Sequence, residues 1–466
     1  MQTRVERSTG RQSGFLVGFL ALGCALFAAT GTSAQTLEEA LALAYTNNPD
    51  LRASRAQLRE IDEDVPQAKS GWRPTIKSTL TLGGTYVDVT STTSDVSGSS
   101  IPRTAIVSIN QPLYRGGRTA ASVRRAVSNV QAQRARMFSV EQYILLKAAT
   151  AYVDTMRNES VLRLQINNLS RLQKQLEATR DRFAVGEVTR TDVAQAESRV
   201  ARAQADRTQA EGNLVSNRSV FKRVVGVMPN NLLLPSRPKE LPLSLEESVK
   251  LATGNNFSLV AAKFQEVSAI EQISVVQSEF LPTVSIVGQA AHYQDTGGGD
   301  NESTSVSLEA QIHIPLYQAG SLSSRVRSAK ENANRRRILV ESLRRQVVDE
   351  SGRAYEAWTT ASARTTSLST EVTAAQVALE GVEQEATVGA RTVLDVLDAE
   401  QAMLNAQVRL VGAERDAFVA SYELLLTLGR LTAASLALPV DIFDYDRHFI
   451  EVEDRYYGTD LSPERR

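Results

Sequence analysis

Val185-Gly-Glu-Val-Thr-Arg-Thr-Asp-Val-Ala-Gln-Ala-Glu197 and Val388-Gly-Ala-Arg-Thr-Val-Leu-Asp-Val-Leu-Asp-Ala-Glu400 spell one pattern, V-G-x-x-T-x-x-D-V-x-x-A-E, twice, 203 residues apart. Glycine accepts the left-handed backbone that closes a helix. A threonine followed three residues later by an acid opens the next one, hydroxyl and carboxylate taking up orphan N–H groups. Gly186 with Thr189, and Gly389 with Thr392, therefore read as the tips of two helical hairpins. The copies differ where it matters chemically: Asp398 stands where the first copy has Gln195. Asp192 and Asp395 suit the positive end of a helix dipole. Asp398 sits a turn further in, on the same face as Asp395, where two carboxylates repel unless solvated or neutralised.

The duplication extends outward from these tips. Leu37-Glu-Glu matches Leu245-Glu-Glu and Pro74 matches Pro282 at an offset of 208, whereas Tyr114/Tyr317, Tyr152/Tyr355 and Gly226/Gly429 match at 203. The change in offset falls between Pro74 and Pro112 and belongs in an exposed loop. Two loops are candidates: Thr90 to Ser100, reading T-S-T-T-S-D-V-S-G-S-S, and its shorter counterpart Asp295 to Ser303. Around them lie four expected strands, about 75–87, 104–113, 283–293 and 304–316. In Ser305 to Ile314 the residues Val306, Leu308, Ala310, Ile312 and Ile314 alternate with Ser, Glu, Gln and His, which means one apolar and one wet face.

The rest reads as helix. Thr36-x-x-Glu39 and Ser244-x-x-Glu247 are capping boxes. Breaker-free patterns follow Gly117 and Gly320 for about 67 residues, rods on the order of 100 Å at 1.5 Å per residue. Apolar positions step by threes and fours, as in Leu368, Val372, Ala375, Leu379, Val382 and Ala386, answered by Leu394, Leu397, Leu404, Val408 and Val411. The first copy carries Leu162, Ile166, Leu169, Leu176 and Phe183. This is antiparallel coiled-coil packing. The expected organisation is a leader over 1–34, repeat 1 over 35–228 with a hairpin at about 117–226, and a proline-rich connector over 229–243. Repeat 2 follows over 244–431 with a hairpin at about 320–430, then a tail over 432–466. Phe443, Tyr445, Phe449, Tyr456 and Tyr457 make the tail too aromatic for simple disorder. Part of it is expected on the middle of the tube, with Pro463-Glu-Arg-Arg466 disordered.

Arg4, Arg7 and Arg11, an apolar run from Phe15 to Ala29, and Thr32-Ser33-Ala34 form an export signal, so the exported chain begins near Gln35. It then carries 49 basic and 52 acidic residues, a balance that argues against a nucleic-acid surface. Cys24, the one cysteine, follows Leu22-Gly23 in loose imitation of a lipid-attachment signal, yet the apolar run continues past it. After the leader no apolar run is long enough for a membrane helix. Four strands cannot close a barrel in lipid, and open edges there are costly, so several chains must share one.

At this point the sequence resembles the TolC-like outer-membrane efflux and secretion proteins, the outer membrane factors. The resemblance covers essentially the whole exported chain: the duplication, the strand-loop-strand placement and both V-G-x-x-T-x-x-D-V-x-x-A-E tips. It implies an α+β membrane protein, a homotrimer whose shared twelve-stranded β-barrel, four strands per chain, continues as a periplasmic α-helical barrel. The implied partners are outer-membrane lipid, a periplasmic adaptor (membrane fusion) protein and an inner-membrane ABC or RND-type transporter, in efflux or type I secretion. The resemblance also implies that Asp395 and Asp398 line the periplasmic constriction. Arg391 would link its hairpin to the neighbouring one, with Thr191 and Asp192 in the closed-state linkage. The turns at Gly186, Thr189, Gly389 and Thr392 are the expected adaptor contacts. A tyrosine expected at Ala386 is missing, so its bond to Asp192 cannot form.

An enzyme is the first rival. His292, His313 and His448 each stand alone, with no H-E-x-x-H or Walker A motif, and neither cofactor nor metal is expected. A coiled-coil scaffold without transport is the second; it explains the rods but not the alternating strands.

Overall fold

The computed structural model describes residues 35–93, 95–236, 238, 241–296 and 301–460. The expected leader with Cys24 and the final residues 463–466 lie outside them. The first repeat runs α1 (Leu37–Asn47), α2 (Pro49–Asp62), α3 (Asp64–Lys69), β1 (Thr75–Leu82), β2 (Thr85–Thr90), β3 (Asp95–Ser100), β4 (Arg103–Arg115), α4 (Arg118–Ala184) and α5 (Arg190–Val225). The second runs α6 (Leu245–Asn255), α7 (Phe257–Gln277), β5 (Thr283–Gln294), β6 (Glu302–His313), α8 (Ser321–Thr387) and α9 (Val393–Thr427), followed by α10 (Arg447–Val452) in the tail. No helix among the described residues is long and apolar enough to cross a membrane.

Four strands form one antiparallel sheet in the order β1-β4-β5-β6. Its register sorts side chains by polarity, because directly opposed residues of antiparallel strands share a face. One face carries the rows Ile76-Ile109-Gly288-Leu308 and Ser78-Val107-Ala290-Val306. The other carries Lys77-Ser108-Gln289-Ser307 and Thr81-Thr104-Tyr293-Ser303. On the first face Leu80 and Val306 are each 81% exposed and Leu308 79%. An apolar sheet face of that extent needs a non-aqueous neighbour.

The strands depart from expectation in three places. The expected strand over 75–87 breaks at Gly83-Gly84, and its second half, β2, pairs with β3 inside the segment read as a loop. The described residues thus hold six strands rather than four. The β-branched residues Thr85, Val87, Val89 and Thr90 favour the pleat over an irregular loop. Pro112 does not end its strand: β4 continues to Arg115 by a register shift between Pro112 and Tyr114. Such a bulge admits a residue without an N–H. At the other end β6 stops at His313, short of the expected 316, because Pro315 cannot donate and restricts the residue before it.

Both rods, α4 and α8, are 67 residues long and start at left-handed Gly117 and Gly320. Thr36 and Glu39 form a complete capping box on α1. Ser244 caps α6 from Glu247 N–H, but the Glu247 carboxylate reaches the Leu243 N–H at 2.9 Å instead of closing the box. The return helices do not end in isolation. Asn48 caps α2 through the Asp50 N–H (2.9 Å) and donates to the Val224 carbonyl in the last turn of α5 (3.1 Å). Asn256 repeats this, capping α7 and donating to the Thr427 carbonyl that ends α9 (3.4 Å). Each asparagine thereby splices a short helix end-on to a return helix. Gly429 follows the second splice at φ 72°, where a Cβ would lie 2.4 Å from the Asn255 carbonyl oxygen.

The largest core lies at this level, joining α1, α4, α5, α9 and the start of the tail around Tyr45, Tyr152, Phe221 and Leu431. Burial pushes the Tyr152 phenol up to about 12. The tail then climbs towards the sheet: Phe443, Tyr445 and Phe449 cover Leu58, Val65 and Met137. His448 holds the buried Asp62 at 3.0 Å, and Arg73, two residues before β1, donates to the Arg455 carbonyl at 2.7 Å.

Candidate functional site at the hairpin tips

Opposite the sheet, α4 turns into α5 and α8 into α9 through two closures of the same construction. The Gly186 N–H reaches the Phe183 carbonyl at 3.0 Å and the Glu187 N–H the Arg182 carbonyl at 2.9 Å. The second tip repeats the pair from Gly389 and Ala390, at 3.2 and 2.9 Å. Gly186 and Gly389 have φ of 79° and 78°, the left-handed conformation of a helix-ending glycine. Thr189 and Thr392 then open the return helices with complete capping boxes. The carboxylates of Asp192 and Asp395 accept from the backbone N–H and hydroxyl of those threonines at 2.8–2.9 Å. The backbone bond first, then the hydroxyl bond, hold both acids below the usual aspartate range.

Beyond the caps the tips diverge. Over residues 180–199 the first carries four cations and four anions; over 383–402 the second carries one cation, Arg391, and five anions. Arg391 lies against Glu385 of its own hairpin at 2.7 Å. Within one chain it is therefore not joined to Thr191 or Asp192, and Thr191 makes no side-chain hydrogen bond among the described residues. Ala386 provides no hydroxyl, and Asp192 is committed to Thr189.

Residues that sequence reading passed over complete the site. Arg199 on α5 bonds Asp398 on α9 at 2.6 Å, so the extra carboxylate is not simply a solvated one. In the first repeat Arg180 and Glu197 form an ion pair at 2.6 Å. Their counterparts 203 residues on are Glu383 and Glu400, two acids. Glu400 is only 6% exposed, and its Oε2 has no partner. Burial raises its pKa, Arg171 on α4 opposes that, and Glu383 on α8 adds to it. Carrying the internal alignment one turn to either side of the tips exposes these substitutions. Beneath them Leu397 of α9 packs against Leu169 and Leu172 of α4 and Ala203 of α5, seating the second hairpin in a groove of the first.

The model of the outer membrane efflux protein family matches residues 40–227 and 249–430, one segment in each repeat. The chain belongs to the outer membrane efflux protein family. It is 33% identical over 434 residues to the outer membrane efflux protein BepC of Brucella suis, covering 92% of this chain and 93% of that one. It is 25% identical over 426 residues to the outer membrane protein TolC of Salmonella enteritidis, covering 87% and 84%. Among solved structures, the outer membrane channel CmeC of Campylobacter jejuni superposes with a TM-score of 0.74 at 15% identity, covering 90% and 89%, which shows a shared fold. Membership in this family matches the sheet's exposed apolar face and the two rods below it.

Proposed function

We propose that three copies of this chain close their sheets into one twelve-stranded barrel in the outer membrane and their rods into a periplasmic tube. The assembly is the exit duct of a tripartite efflux or type I secretion system. The observation that carries this reading is the four-stranded sheet with one apolar face and two unpaired edges, β1 and β6, each strand of which adjoins helix. Open edges are untenable in lipid, and antiparallel closure of β6 on a neighbour's β1 removes them. The polar face then lines the pore. A periplasmic adaptor and an inner-membrane transporter supply cargo and energy; the chain itself performs no catalytic step. The duct is expected to migrate as a heat-modifiable trimer from outer-membrane fractions, and a monomer that never shifts on heating overturns the reading.

The tips form the gate. Threefold symmetry brings Asp395 and Asp398 of each chain around the axis, six carboxylates in all. Arg391 with Thr191 and Asp192 makes links between hairpins of neighbouring chains, weakened by the alanine at 386. The turns at Gly186, Thr189, Gly389 and Thr392 face the adaptor. Asp395→Ala with Asp398→Ala raises single-channel conductance and weakens block by multivalent cations; unchanged conductance and block remove both acids from the gate.

A further inference from the structure

Two repeats that began alike differ at the tips in a complementary way. At the position of Asp398 the first repeat has Gln195, and at the position of Arg199 the second has Ala402. One repeat carries the anion and the other the cation, and the fold brings the two together at 2.6 Å. Asp398 is 59% and Arg199 27% exposed, so the pair lies at the rim of the groove, where it faces solvent rather than the core. The neighbouring Leu397 fills that groove, buried by α4 and α5. The second hairpin cannot leave the first without parting this ion pair and uncovering Leu397.

We infer that Arg199 is a gating residue: by pairing with Asp398 it clasps the second hairpin onto the first within each chain and holds the tip closed. This rests on the reading of the tips as the gate. The pair has a second consequence. At rest each Asp398 faces a guanidinium, so the ring of free negative charge is smaller than the sequence implies. Opening strips the guanidinium away and presents Asp398 to the passing ion. A structural strut and a clasp therefore differ in one readout. Removing Arg199 opens the tip and leaves Asp398 free, so cation block tightens, whereas removing Asp398 opens the tip and weakens that block.

The test uses the full-length trimer in planar bilayers with hexaamminecobalt as blocker, comparing Arg199→Ala, Asp398→Ala, Asp395→Ala and the exchange Arg199→Asp with Asp398→Arg. Each is also made in an Ala203→Cys background and labelled with a maleimide, since Ala203 is buried under Leu397 and Cys24 lies in the expected leader. Arg199→Gln replaces any Arg199→Ala protein not recovered as a trimer. The clasp predicts that Arg199→Ala raises conductance, tightens block and speeds labelling by up to about fivefold, the equilibrium shift of one solvent-facing ion pair. The exchange variant returns all three towards the parent. Parent-like labelling and block in Arg199→Ala, or an exchange variant as open as Arg199→Ala, overturns the clasp. If Asp395→Ala opens the channel and Arg199→Ala does not, the clasp fails and the gate stands. If neither aspartate variant alters conductance while Arg199→Ala still speeds labelling, the gate reading fails and takes the gating role of Arg199 with it, leaving a pair that only joins the two hairpins.

Discussion

Glu383→Arg rewrites the second tip in the terms of the first, where Arg180 bonds Glu197 at 2.6 Å. In the parent, Glu400 is nearly buried with one oxygen unpartnered, and Glu383 adds repulsion. The first repeat's own bridge is solvent-facing, 57% and 49% exposed, and such a pair contributes about 0–1 kcal/mol. Glu400 is in a drier place, where a charge-assisted bond contributes about 1.5–3 kcal/mol. That corresponds to a tip that opens about ten- to a hundredfold less often in each chain. Hydrogen exchange across residues 379–404 reads this directly, normalised for intrinsic rates, and conductance should fall with it. The same carboxyl sets a pH dependence. Its pKa is raised on folding, so its contribution to tip stability is complete below the unfolded value, about 4.3, and is lost as pH rises through the folded value. In the parent, protection at the tip declines across that window; in Glu400→Gln the decline is absent and the tip at neutral pH is as protected as in acid. Parent-like exchange in Glu383→Arg, or an undiminished pH slope in Glu400→Gln, refutes the account.

Other outcomes follow from the same geometry. Gly429→Ala meets both a positive φ and the Asn255 carbonyl at 2.4 Å. It should cost at least about 1–2 kcal/mol, read as a lower denaturation midpoint, whereas Gly412→Ala, mid-helix with open space around it, should be neutral or slightly stabilising. Asn48→Ala and Asn256→Ala each remove a cap and a splice bond; each should cost about 1–2 kcal/mol, and parent-like stability of both would deny the splice its role. His448→Ala leaves Asp62 buried without its partner, at a cost of about 1–3 kcal/mol, and should speed proteolysis of the tail from residue 443 onward.

Much of the architecture was legible because it is periodic and written twice. The glycine-threonine tips, the rods after Gly117 and Gly320 and the alternation in Ser305 to Ile314 are local signals, and each appears where its spacing places it. What was missed depends on proximity or on local tolerance. A Ser/Thr-rich segment reads as loop until Asp95–Ser100 finds Thr85–Thr90 beside it. A bulge at Pro112 leaves no trace in an alternation pattern. At the tips the capping role of Asp395 is a spacing rule and was readable. The partner of Asp398 lies on another hairpin, 199 residues away, and no spacing rule reaches that far.

The asparagine splices have a mechanical meaning. Each chain contributes two uncut rods, α4 and α8, and two that are jointed at mid-height, where α5 meets α2 and α9 meets α7. In the proposed tube, a wall of alternating whole and jointed staves would resist crushing along its length, because every joint would be flanked by solid pieces. At each joint the helical ladder gives way to one asparagine amide bond and to side-chain packing, so the lower stave can turn by shifting side chains rather than by bending a helix. In the proposed trimer the end remote from the sheet would therefore rotate while the part fixed in lipid stays still.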